Sequence, residues 1–164
     1  MFKKIAIAAP LALLAMSSTA AFAAGEASHT ISLVATVPTT SFYVVPVDPD
    51  LVNKDQDMSY NPATGKMREV KGYFDVRNSN GSVHASLNGL PYLQSGTDQI
   101  PLDVEFNGKL LNQVPQMVVG EDESDSSYRA MLKIAPRASA IYAPGDYTGT
   151  VAMVFDAVPP VGSR

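Results

Sequence analysis

Alternation of apolar and polar residues with a period of two constrains this chain more than any other feature of its sequence. In "REVKGYFDVR", Val70, Gly72, Phe74 and Val76 fall on one face, and Glu69, Lys71, Tyr73, Asp75 and Arg77 on the other. "VHASLN" repeats the pattern with Val83, Ala85 and Leu87, "IPLDVEF" with Ile100, Leu102, Val104 and Phe106, and "YRAMLKI" with Tyr128, Ala130, Leu132 and Ile134. "YTGTVAMVF" closes the series, with Tyr147, Val151, Met153 and Phe155 in one phase. Side chains on a strand point alternately to its two faces, so each run buries one face and wets the other. No long stretch carries the i, i+3, i+4 spacing of an amphipathic helix.

Turn residues separate the runs. Asn80-Gly81 in "NSNG" and Asn107-Gly108 after "IPLDVEF" both suit the positive backbone angles of tight hairpins, so two hairpins are expected there. With "SFYVV" (Ser41 to Val45) and an opening "HTISLVATVP" (His29 to Pro38), seven or eight short strands result. Such spacing predicts an antiparallel β-sandwich of immunoglobulin-like type. The polar stretches "DPDLVNKDQD" (Asp48 to Asp57) and "GEDESDSS" (Gly120 to Ser127) read as solvated loops.

The N-terminus fixes the compartment. Lys3 and Lys4 precede an apolar run, Ile5 to Met16, and Ala21-Phe22-Ala23 supplies a cleavage pattern, so residues 1–23 are expected to be a signal peptide. The run is too short to span a membrane and Pro10 interrupts it. Loss of Lys3 and Lys4 takes the net charge from −4 to −6, unsuited to nucleic acid. The chain has no cysteine, which removes thiol nucleophiles, thiolate metal sites and disulfides. Its stability must come from packing.

Chemistry is sparse. His84 lies on the polar phase of its run and is expected to be exposed, and His29 is far from it in sequence. No nucleophile elbow, phosphate loop or zinc-binding histidine pair is present. Asp48, Asp50, Asp55 and Asp57 lack the order of an EF-hand, so no metal and no cofactor are expected, and no enzyme.

Several segments together carry a family resemblance. "ISLVATV" (Ile31 to Val37), "SYNPATGKM" (Ser59 to Met67), "LPYLQSGTDQIPLDVEFNGKLL" (Leu90 to Leu111) and above all "KIAPRASAIYAPGDYTGTVAMVF" (Lys133 to Phe155) follow one another along nearly the whole chain. In the last, Ala135-Pro136 and then Gly145, Tyr147, Gly149 and Val151 stand at the matching places. In these the chain resembles the major pilins of the colonisation-factor antigen family, the alpha-type fimbriae built by a chaperone and an usher. It departs from them in continuing past Phe155 as "DAVPPVGSR".

The resemblance implies an incomplete immunoglobulin-like β-sandwich, residues 39–164, completed by a donor strand from a neighbouring subunit. Residues 24–38 would be the donor, with Ile31, Leu33, Ala35 and Val37 entering the neighbour's groove and Pro38, which lacks an N–H, ending the strand. Burial of Ile31, Leu33 and Val37 would contribute roughly 5 to 9 kcal/mol. Gly145, Tyr147, Gly149, Val151, Met153 and Phe155 would form the C-terminal groove strand that receives chaperone and donor. Implied partners are identical subunits joined head to tail, a periplasmic chaperone, an outer-membrane usher and a tip adhesin. The implied location is a fimbria on the bacterial surface, reached through the periplasm. The alternative is a self-complete secreted or periplasmic sandwich that binds a small ligand or glycan.

Overall fold

The computed structural model describes residues 41–137 and 142–160. In chain order these form β1 (Phe42–Pro46), α1 (Asp50–Asn53), β2 (Tyr60–Asn61), β3 (Lys66–Met67), β4 (Val70–Asn78), β5 (Ser82–Leu87) and β6 (Tyr92–Ser95). Next come β7 (Asp98–Phe106), β8 (Lys109–Leu110), β9 (Gln116–Val119), α2 (Glu121–Ser124), β10 (Tyr128–Pro136) and β11 (Met153–Val158). The larger sheet runs β1-β4-β10-β7-β6, with β8 on β7, the smaller runs β11-β5-β9, and β2 and β3 form a separate two-stranded ribbon. All pairings among these strands are antiparallel. The all-β sandwich expected from the alternation is therefore present.

The core forms where the apolar phases of the two sheets meet. Phe74 and Val76 of β4, Val104 and Phe106 of β7, and Ala130 and Leu132 of β10 face Val83, Ala85 and Leu87 of β5 and Val119 of β9, all buried. The opposite phase of the larger sheet carries charges that pair across strands. Arg129 grips Asp75 with two bonds, Nε to Oδ1 at 2.9 Å and Nη2 to Oδ2 at 3.2 Å. Lys133 reaches Glu105 at 3.3 Å and Arg137 reaches Asp103 at 2.8 Å.

The Asn107-Gly108 turn is a hairpin as expected, with φ of 49° and 74°, joining β7 to β8. Asn80-Gly81 is not. β4 belongs to the larger sheet and β5 to the smaller, so the turn is an arch between layers. Tertiary contacts decide this. Gly81, at φ 125°, leaves no room for a Cβ because the Val158 carbonyl passes directly over it. From the other side Ser124 donates its hydroxyl to the Gly81 carbonyl at 2.7 Å. Buried Asn78 donates to the Ser82 carbonyl at 2.8 Å and accepts from the Asn80 amide at 3.2 Å.

The two polar stretches also differ from expectation. "DPDLVNKDQD" contains α1, whose Leu51 packs on the core over the side-chain-free Gly72. "GEDESDSS" contains α2, whose Ser124 is wholly buried. Each stretch is solvated on its charged side and anchored by one residue.

Candidate functional site

The last strand carries the site. β11 pairs with β5 in the register Met153↔Leu87, Phe155↔Ala85 and Ala157↔Val83, which directs Met153 and Phe155 inward. Phe155 meets Phe106 at 4.9 Å between ring centres, inclined at 61°, and Phe74 at 6.3 Å. Phe74 and Phe106 are themselves 5.6 Å apart, so three rings from three strands form one cluster. Phe74 and Phe106 are buried, but Phe155, Met153 and Val151 are only half-buried.

Where this exposure lies follows from the pairing order. β9 is tied to the end of β7, since Asn107 donates to the Val118 carbonyl at 2.7 Å and Gln116 to the Leu110 carbonyl at 3.2 Å. From there the smaller sheet runs β9, β5, β11, and Phe155 of β11 meets both Phe106 of β7 and Phe74 of β4. Among the described residues β11 has β5 as its one ladder partner and its far edge has none. On the facing sheet β1 is likewise a terminal strand, with Phe42 and Val44 half-buried against the same core. The result is an apolar seam along one side of the sandwich. It is bordered by Phe42 and Val44 on one sheet, by Met153 and Phe155 on the other, and by Val151 just before β11.

Four of the residues expected on this strand, Gly145, Tyr147, Gly149 and Val151, precede it. Residues 147–152 are not part of β11; they cross to the opposite sheet, where Gln94 and Thr148 exchange backbone bonds of 2.8 and 3.1 Å. Gly149 lies directly against the Tyr92 carbonyl and Gly145 against the Ser95 hydroxyl, so a Cβ fits at neither. Tyr147 is half-buried and donates its hydroxyl to the Ala143 carbonyl at 2.9 Å, closing its own turn. Gly145, Tyr147 and Gly149 therefore position the crossing that leads into β11, while Val151, Met153 and Phe155 face the core. The alternation continues through Tyr147, but the sheet pairing does not.

Beyond Phe155 the strand runs on to Val158 and stops where Pro159-Pro160 withholds backbone donors. Ile31, Leu33, Ala35, Val37 and Pro38, like residues 1–23, lie outside the described residues. His84 does face outward, as expected, opposite Asp156 and Met117, but is half-buried rather than exposed.

The resolved titration shifts lie at Glu69, Lys71 and Arg129. A hydrogen bond from Lys71 holds the Glu69 carboxyl below its usual range, and the same contact raises Lys71. Asp75 likewise raises Arg129. Among the described residues no three acidic or histidine side chains converge on a metal position. An open cleft of about 770 Å³ is lined in part by Tyr60 and Tyr142, which meet edge-on at 6.0 Å.

A family described as CS1 type fimbrial major subunit matches residues 27–156. Among solved structures the chain is similar to the CooA pilin subunit from enterotoxigenic Escherichia coli, at 21% identity and a TM-score of 0.54. That match covers 74% of this chain and 90% of the other. A likeness at that identity speaks for the fold. No curated protein gives a significant match.

Proposed function

The chain belongs to the CS1-type fimbrial major subunits, and from that premise we propose that it polymerises by lending residues 24–38 to the next copy as a donor strand. It is a structural pilin, and copies of it build a fimbria on the cell surface. The observation that carries the proposal is the seam. The buried core is flanked there by half-buried Phe42, Val44, Val151, Met153 and Phe155, beside a strand edge of β11 without a ladder partner among the described residues.

One strand with apolar alternate residues fits that seam in both respects. Its backbone completes the ladder of β11, and its inward side chains cover the exposed flank of the phenylalanine cluster. Ile31, Leu33, Ala35 and Val37 supply that pattern, and Pro38 ends it. A contact in which each copy gives one surface and receives on another does not close, and so makes a filament. In this account a periplasmic chaperone covers the seam before assembly, an outer-membrane usher exchanges it for the donor, and a tip adhesin caps the fibre.

Deletion of residues 24–37 tests it. The truncated subunit is expected to accumulate folded with its chaperone and to form no fibres. Intact fibres from that deletion would overturn the proposal. Wild-type fibres should also run as a detergent-resistant ladder that collapses on boiling.

A further inference from the structure

The two outer faces of the sandwich differ sharply in charge. On the larger sheet Asp75 and Arg129, and Glu105 and Lys133, pair across strands, with Lys71 and Arg77 in the same outward phase. The three strands of the smaller sheet hold a single carboxylate, Asp156, and no lysine or arginine. Its outward positions are Ser82, His84 and Ser86 on β5, Met117 on β9, and Val154 and Asp156 on β11. Met117 is 53% exposed and Val154 is 44% exposed. The loop entering β9 adds Val114, at 66%, within a run from Leu110 to Gly120 that has no charge.

We infer that the outer face of the smaller sheet, centred on Met117 and Val154, packs against a second copy of this chain that is not its donor-strand neighbour. The inference rests on the homopolymer described above. Two features select that occupant. Copies of an acidic chain repel one another, so they approach most closely where each presents least charge; this face carries Asp156 as its one carboxylate, while the other sheet presents many charged side chains. In a filament, neighbouring copies are also held together at high effective concentration, so a modest apolar patch suffices to hold them in contact. A nucleic acid or a cationic partner would find nothing complementary here.

Methionine oxidation in wild-type fibres tests this without any substitution, because Met117 and Met131 mark the two faces. Met131 lies on the ion-paired sheet and is 38% exposed, so in a lone subunit Met117 should react at least as fast. In purified fibres treated with dilute peroxide, Met117 is expected to convert to sulfoxide at least fivefold more slowly than Met131. A smaller ratio overturns the inference. So does protection of Met117 that appears only after host membranes or other surface proteins are added, which would assign the face to a different partner. An independent probe uses the absence of native cysteine. In fibres of Val154→Cys the thiol should react with a charged maleimide at least fivefold more slowly than in fibres of Met131→Cys, and a smaller ratio overturns the inference. Failure of wild-type protein to form fibres would instead count against the donor-strand proposal.

Discussion

Gly149 shows how one missing methyl group sets a path. The chain crosses from β10 toward β11 by lying on the backbone of β6, and the Tyr92 carbonyl occupies the space a side chain would need. Gly149→Ala must therefore displace backbone, and is expected to lower stability by about 1 to 3 kcal/mol, measured as the denaturation midpoint of the folded subunit. Ser124 is a second such position. Its buried hydroxyl serves the Gly81 carbonyl at 2.7 Å and lies 2.8 Å from that of Gly120. Ser124→Ala leaves the Gly81 carbonyl short of its donor and should cost about 1 to 3 kcal/mol, against little for Ser127→Ala in the same acidic stretch. Neither role is legible in sequence. Glycine and serine announce turns, but the atom that approaches them comes from 57 residues away in one case and 43 in the other.

Strands were easier to read than their partners. The inward phases of β4, β7 and β10 follow directly from alternation, because that period is a property of local backbone geometry. Two Asn-Gly turns nonetheless behave differently: one joins paired strands, the other lifts the chain from one sheet to the next. Which occurs depends on whether the strand after the turn finds a better partner than the strand before it, and β5 finds two, β9 and β11. Just before β4, Glu69 gives a pH test. Its carboxyl is held below the ordinary range by Lys71, so its contribution is present above the ordinary carboxylate pKa and is lost as pH falls through the lowered value. Glu69→Gln should flatten that part of the acid limb of a stability-against-pH curve, by a small amount that salt reduces, since the pair is exposed.

The assembled fibre should be most sensitive where the subunit's own core is least complete. Phe155 is only half-buried yet joins Phe74 and Phe106 into one cluster. Phe155→Ala is expected to cost about 3 to 5 kcal/mol if the site is fully covered in the polymer, and visibly less in the subunit alone. Comparing the denaturation of fibres with that of unassembled subunit measures the difference. Equal losses in the two would mean that nothing covers Phe155 on assembly.

The amino-acid sequence settled those features that repeat within a few residues: the strands, the faces they bury, and the Asn107-Gly108 hairpin. It also carried the family likeness, through glycines and prolines whose order is preserved even where their purpose was misread. Tyr147 kept the phase of β11 without belonging to it. The three-dimensional fold settled which sheet each strand joined, which polar stretch hid an anchoring residue, and where the core was left half-covered. Those outcomes depend on pairings between distant segments, and backbone hydrogen bonding gives one strand edge little preference among partners until packing selects one. The half-covered seam is of that kind. An apolar residue in a strand promises burial, but the chain that buries it is fixed only when all the strands are in place.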